Sequence, residues 1–174
     1  KKLNFPLTYR SNVPSDKLIS LIIQEDIKNY LSDCISIDIN GVESTTMYKN
    51  LSKGAYPAAI YDWTGLYSDP EAYLKPLLSC SEIVENICKD GESVLSGSFW
   101  ASKTIENLFR ESDSMFGNNR LNNLLKIEKI ASESIPYIPI WISSQKAWSQ
   151  NKISKPTFNG AGIISLSDLE LIND

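Results

Sequence analysis

Ile35, Ile37 and Ile39 alternate with Ser36 and Asp38. That period of two predicts a half-buried strand. Residues 3–9 alternate more loosely and predict a strand ahead of it, in spite of Pro6. Between the two, Pro14-Ser15-Asp16 reads as a helix start, and the helix runs to about residue 31. Leu18, Leu21, Ile22, Tyr30 and Leu31 are among its apolar positions, while Glu25, Asp26 and Lys28 read as its solvated face. Asn40-Gly41 punctuates the second strand, and residues 44–53 predict a second helix stopped at Gly54. Residues 56–62 begin with an apolar run and predict a third strand. The order β-α-β-α-β implies an α/β fold with a mainly parallel sheet and helices on both faces.

The rest of the chain reads as mostly helical. Residues 70–78 predict a short helix interrupted at Pro76. Residues 79–98, rich in Ser, Glu, Asp and Gly, predict an irregular surface excursion. Trp100 then opens a helix over residues 101–112, with Ile105, Leu108 and Phe109 as its apolar stripe. Asn118-Asn119 caps a further helix over residues 120–134, whose buried side comprises Leu121, Leu124, Leu125, Ile127, Ile130 and Ala131. Residues 135–142, with Pro136 and Pro139, predict the end of that helix and a strand. Trp141 and Trp148 read as packing residues, and a polar connecting tail follows.

The segment most informative about chemistry joins the third strand to the next helix. It reads Tyr61-Asp62-Trp63-Thr64-Gly65-Leu66-Tyr67-Ser68-Asp69-Pro70. Two aromatics, a hydroxyl and a glycine lie at the carboxyl end of a strand, which is where open α/β sheets bind ligands. Trp63 reads as a pocket wall, or as a core Trp with its N–H on a carbonyl. Thr64 and Gly65 offer a hydroxyl and backbone groups, or Gly65 serves only a tight turn. Tyr67 faces the same alternatives. Asp69 reads as the helix cap, since its carboxylate can accept the first free N–H groups. Asp62 reads as a solvated strand-end residue.

The same segment resembles the extracellular solute-binding protein family 5, the dipeptide- and oligopeptide-binding subunits of ABC importers. Members carry an aromatic-Gly-Trp-Thr-Gly-Asp type loop, an acidic residue with Pro, and a short helix. Trp63, Thr64, Gly65, Asp69 and Pro70 match that order. Gln24, the turn Lys53-Gly54-Ala55-Tyr56, Arg120, Pro136 and Pro139 extend the match. The resemblance implies a periplasmic-binding-protein-like (type II) lobe. Residues 1–155 would be the second, C-terminal lobe of a two-lobe protein, and residues 156–174 a tail returning towards the first lobe. Trp63, Thr64, Gly65, Leu66 and Tyr67 would contact the ligand.

Further implications follow from that family. The protein would bind a peptide-like or other small solute by hinge closure, without transforming it. It would deliver the solute to an ABC permease, act as a monomer at full length, and work outside the cytoplasm, in the periplasm or held to the membrane by a lipid. In peptide-binding members a carboxylate at the place of Leu66 pairs with the peptide α-amine. Leu66 has no charge to offer, so burying an ammonium against it would be costly without another carboxylate, with Asp62 as one candidate.

Composition narrows the alternatives. The chain has 174 residues and 42% apolar content, enough for one domain. A net charge of −4 argues against a nucleic-acid partner. There is no histidine, which removes Ser-His-Asp and Cys-His catalysis and His-based zinc sites. No phosphate loop, metal-ligand spacing or cofactor motif is present. The first residue is Lys and no leader pattern precedes the first strand, so the chain reads as a mature segment or a piece of one. Cys34 reads as a buried filler. Cys80 and Cys88 flank the start of the excursion, and spacing leaves both a disulfide and two free thiols open. Two rival functions remain: a ligand-sensing domain of a regulatory protein, and an α/β enzyme using carboxylates such as Asp62 and Asp69.

Overall fold

The computed structural model describes residues 2–142 and 144–172. Strand β1 (Leu3–Arg10) leads through helix α1 (Pro14–Tyr30) to strand β2 (Ile35–Val42). Helix α2 (Ser44–Leu51) then leads to the short strand β3 (Ala58–Ala59). The sheet has the order β2-β1-β3, and both pairings are parallel. Leu7, Thr8, Tyr9 and Arg10 are all buried. Four consecutive buried residues mean that both faces of β1 are covered at its carboxyl end.

The third strand is shorter than its apolar run predicts. One more ladder bond forms, from Ile60 N–H to the Thr8 carbonyl at 2.8 Å, and the chain then leaves the sheet. Its departure places residues 61–70 at the carboxyl edge.

Helix α1 turns a different face inward from the one its leucines suggest. Leu7, Ile37 and Ile60 form the sheet core, and Ile19, Ile23 and Ile27 pack against it. Leu18, Leu21, Ile22, Tyr30 and Leu31 are exposed. The inward stripe continues through Asp16 and Ser20, which are buried. Polar side chains can join a buried stripe when their bonds are made inside. Ser20 Oγ donates to the Asp16 carbonyl at 2.8 Å, and Arg10 takes the Asp16 carboxylate. Gln24 Nε2 donates to the Ile37 carbonyl at 2.7 Å, tying α1 to β2. Cys34, expected as a filler, is exposed in the turn after α1.

The second half builds a separate helical core. Helices α3 (Glu71–Leu78), α5 (Lys103–Ser112) and α6 (Gly117–Ser134) supply Leu78, Ile105, Phe109, Leu124 and Ile127. Leu121 and Leu125 on α6 stay exposed, contrary to the sequence reading. Helix α6 starts three residues earlier than predicted, after Phe116. The excursion at residues 79–98 is ordered. It forms an antiparallel hairpin of β4 (Glu82–Val84) and β5 (Ile87–Asp90), then the short helix α4 (Glu92–Leu95). Trp100 does not open a helix but bridges to Ile87 and packs on the helical core.

After Ile135, whose φ is 48°, residues 136–142 form no strand. Pro136 and Pro139 each lack the N–H that a ladder needs. Trp141 and Trp148 are exposed rather than packed. Beyond residue 150 the tail pairs with itself through the bridges Ile153–Leu171 and Phe158–Ile164. Its turn at Gly160 packs so closely on Ser68 that a Cβ there would meet Ser68 Oγ at 2.1 Å.

Candidate functional site

Both cores hold the loop at residues 61–70 in place. Tyr61 is its first anchor. Its hydroxyl donates to the Ser96 carbonyl at 3.2 Å, and its ring meets Tyr48 and Tyr137 edge-on at 6.4 Å each. Burial pushes the Tyr61 hydroxyl far above its ordinary titration range. Tyr137 donates to the Leu77 carbonyl at 2.9 Å, which links the anchor to α3.

Next to it, Arg10 organises the carboxyl end of β1. Its guanidinium donates through Nε to Asp16 Oδ2 at 2.6 Å and through Nη2 to Asp16 Oδ1 at 3.1 Å. Nη1 donates to the Tyr48 hydroxyl at 3.0 Å and also to Asp62. The Arg10 side chain is 8% exposed and that of Asp16 only 3%, whereas Asp62 is 70% exposed. The hydrogen bond that Arg10 donates to Asp16 raises the guanidinium further above its ordinary titration range. Asp62 is thus a solvated strand-end residue, as the sequence suggests, and it has Arg10 as its partner.

Trp63 follows. Its Nε1 donates to the Ala72 carbonyl in the first turn of α3 at 3.1 Å. In an α-helix that carbonyl belongs to the N–H four residues on. Position 76 is proline and has none. The indole therefore fills a place that Pro76 leaves empty, while 43% of Trp63 stays exposed.

Gly65 is buried, and its φ is not in the left-handed region. A Cβ there would lie 2.5 Å from the Tyr73 ring, so close approach, not a special dihedral, calls for glycine. Thr64 is exposed. Leu66 and Tyr67 are 80% and 57% exposed, a high value for apolar side chains of this size.

Asp69 closes the loop as its cap. Its Oδ1 accepts the Glu71 N–H at 2.8 Å, and Arg120 grips both of its oxygens at 2.8 and 3.0 Å. Arg120 also reaches Glu71 Oε2 at 2.5 Å. The Arg120 guanidinium holds the Asp69 carboxyl below the usual carboxylate range, with help from the Glu71 N–H. Lys75 continues the chain of charge, pairing with Glu71 at 2.9 Å and Asp113 at 3.2 Å. Those partners, Glu71 first, raise the Lys75 ammonium above its ordinary range.

Trp63, Leu66 and Tyr67 share a groove of about 400 Å³ with Ala72, Lys75, Pro76, Ser79 and Glu92. Glu92 arrives there through the hairpin. Cys80 and Cys88 are joined by a disulfide with Cα atoms 5.7 Å apart. Ser93 N–H donates to the Ser79 carbonyl at 2.9 Å, setting α4 beside the end of α3.

The structure thus brings Trp63, Leu66 and Tyr67 to one groove, places Gly65 beneath Tyr73 and leaves Thr64 outside the groove lining. Arg10, Tyr48, Lys75 and Glu92 escaped sequence reasoning. A charged residue ending an apolar strand, as Arg10 does after Leu7-Thr8-Tyr9, was the one available signal. No group of three or more His, Cys, Asp or Glu able to hold a metal exists among the described residues. Asp62 and Asp69, the carboxylates of the enzyme reading, each pair with their own arginine.

The α/β architecture is similar to the type II periplasmic-binding-protein fold. It is similar to Burkholderia pseudomallei OppA, with a TM-score of 0.76 and 17% identity over 99% of this chain and 32% of that one. Listeria monocytogenes OppA bound to peptide gives 0.72 and 15% identity, over 99% of this chain and 30% of that one. The pheromone receptor PrgZ, described for its mode of peptide binding, gives 0.70 and 14%, over 98% and 30%. The chain therefore spans about a third of the length of these structures. No protein-family model and no curated protein matches the sequence.

Proposed function

We propose that this chain is the second lobe of a two-lobe solute-binding protein of an ABC importer. Residues 1–155 form the lobe and residues 156–174 a tail returning towards the first lobe. The observation that carries the reading is the groove at the carboxyl end of the sheet, where Trp63, Leu66 and Tyr67 stand exposed on a lobe of this fold. Apolar side chains displayed at a concave edge favour a ligand or a facing surface. Solute would enter between the lobes, and contacts to both would favour the closed form.

The ligand in this reading is a peptide-like or other small solute, and the neighbouring structures described with peptides support that class. Trp63, Leu66 and Tyr67 supply apolar contact, while Thr64 and Gly65 shape the loop that carries them. The loop performs no chemistry on the solute. The protein works outside the cytoplasm, in the periplasm or tethered by a lipid, as a monomer that hands solute to a membrane permease. No described helix is long and apolar enough to cross a membrane.

A thermal-shift screen of the full-length protein against peptides and small solutes tests this reading. Ligand binding to the native state raises the apparent melting temperature. The expected result is a shift with one solute class that Trp63→Ala abolishes. An intact, folded protein that responds to no solute would overturn it.

A further inference from the structure

We propose that the Glu92 carboxylate makes the groove selective for a cation carried on an apolar body, an alkyl- or arylammonium or a guanidinium. The proposal rests on the reading of this groove as the solute-contact surface and names the charge it prefers.

Two charged side chains line the groove, Lys75 and Glu92. They are not equivalent. Lys75 Nζ is held by Glu71 at 2.9 Å and Asp113 at 3.2 Å, and it also sits 5.8 Å from the centre of the Phe109 ring. Its charge is offset by two carboxylates, so it has little left for an incoming anion. At Glu92 the backbone carbonyl is engaged, by Ser96 N–H and Oγ. Among the described residues its carboxylate pairs with no cation.

The walls favour the same sign. Trp63 and Tyr67 are both partly exposed on the groove. An aromatic face attracts a cation within about 6 Å of its centre. An anionic solute would meet the unpaired carboxylate and a lysine already paired with two carboxylates. A neutral solute would gain the apolar walls alone. A cationic amphiphile gains the walls, the rings and a charge-assisted bond to Glu92.

The backbone at Glu92 is set by its neighbours, while its side chain is exposed. The Cys80–Cys88 bridge ties the end of α3 to β5, and α4 begins two residues after β5. The short reach from Ser79 to Ser93 sets α4 beside α3. Selectivity therefore comes from a residue distant in sequence from the Trp63 loop.

Three probes of one shape test this on the full-length protein: 2-phenylethylamine, 2-phenylethanol and 3-phenylpropionate. Saturation-transfer NMR titrations would be run on wild type, Glu92→Gln and Trp63→Ala. Wild type is expected to bind the amine about tenfold more tightly than the alcohol, with the anion weakest. Glu92→Gln should bring amine and alcohol level while keeping the alcohol affinity, and Trp63→Ala should weaken all three. Added salt should shrink the amine preference in wild type. Equal binding of amine and alcohol by wild type, or a preference unchanged in Glu92→Gln, would overturn the proposal. So would binding of none of the probes. If other solutes still raise the melting temperature, that result leaves the solute-binding reading standing; if none does, both fall.

Discussion

The indole N–H of Trp63 bonds to the Ala72 carbonyl at 3.1 Å, four residues before Pro76 in the same helix. The proline deletes the amide that this carbonyl would otherwise accept, and a side chain from the preceding loop replaces it. One contact thus satisfies a helix carbonyl and fixes the ring that walls the groove.

That relationship makes a double-substitution test. Trp63→Phe keeps an aromatic ring but leaves the Ala72 carbonyl short of its donor, a loss of about 1–2 kcal/mol. Adding Pro76→Ala restores a backbone N–H within reach. Urea denaturation of the two single variants and the double variant should show the double variant recovering stability relative to Trp63→Phe. Strict additivity would mean that the two residues do not share the carbonyl.

Arg10 joins a buried partner and an exposed one, and the two should differ in weight. Arg10→Met strands Asp16, whose side chain is 3% exposed, and should cost about 3–5 kcal/mol. Asp62→Asn alters the 70% exposed partner and should cost less than about 1 kcal/mol. Equilibrium unfolding of both variants checks the contrast, and the double change Arg10→Met with Asp16→Asn should recover part of the larger loss.

The Asp69–Arg120 pair adds an acid limb to stability. The folded-state carboxyl titrates below its ordinary value, so the unfolded chain binds the proton more readily. Its contribution is present above about pH 4, the ordinary aspartate range, and is lost as pH falls through the lowered folded value. Asp69→Asn should flatten the fall in urea midpoint between neutral pH and pH 3, as should Arg120→Gln. An unchanged acid limb in both variants would remove Asp69 as its source.

Reduction should loosen the groove as well as the hairpin. The Cys80–Cys88 bridge closes a loop with a sequence separation of 8, and such a loop contributes about 2–3 kcal/mol through the unfolded chain. The double change to serine should lower the melting temperature by several degrees. Hydrogen exchange should speed up in β4, β5 and α4, while the amides of β1 and β2 stay protected. Faster exchange spread evenly over the sheet would contradict the local role.

Much of the first half was legible in the chain. Ile35, Ile37 and Ile39 alternate because β2 has one face on the core, and the β-α-β-α-β order follows from local punctuation. The Trp63–Tyr67 loop was legible for the same reason, since a turn-rich segment after an apolar run marks a sheet's carboxyl edge. The inward face of α1 was not. Its stripe runs through Asp16 and Ser20, polar residues whose burial depends on partners such as Arg10 that only the fold brings beside them. The predicted strand at residues 135–142 did not form; Pro136 and Pro139 withhold two ladder donors there, where β1 lacks only the one at Pro6.

The sequence by itself determined the periodic elements, the parallel order of the first sheet and the loop that carries Trp63, Leu66 and Tyr67. Those depend on residues close together in the chain, whose spacing and punctuation set where each element starts and stops. Only the tertiary structure decided that Glu92 lines the same groove as that loop, that Lys75 is already paired with Glu71 and Asp113, and that Arg10 ties Asp16 to Asp62. Charges interact over a few ångströms of space regardless of how many residues separate them, and that separation in space is what folding sets.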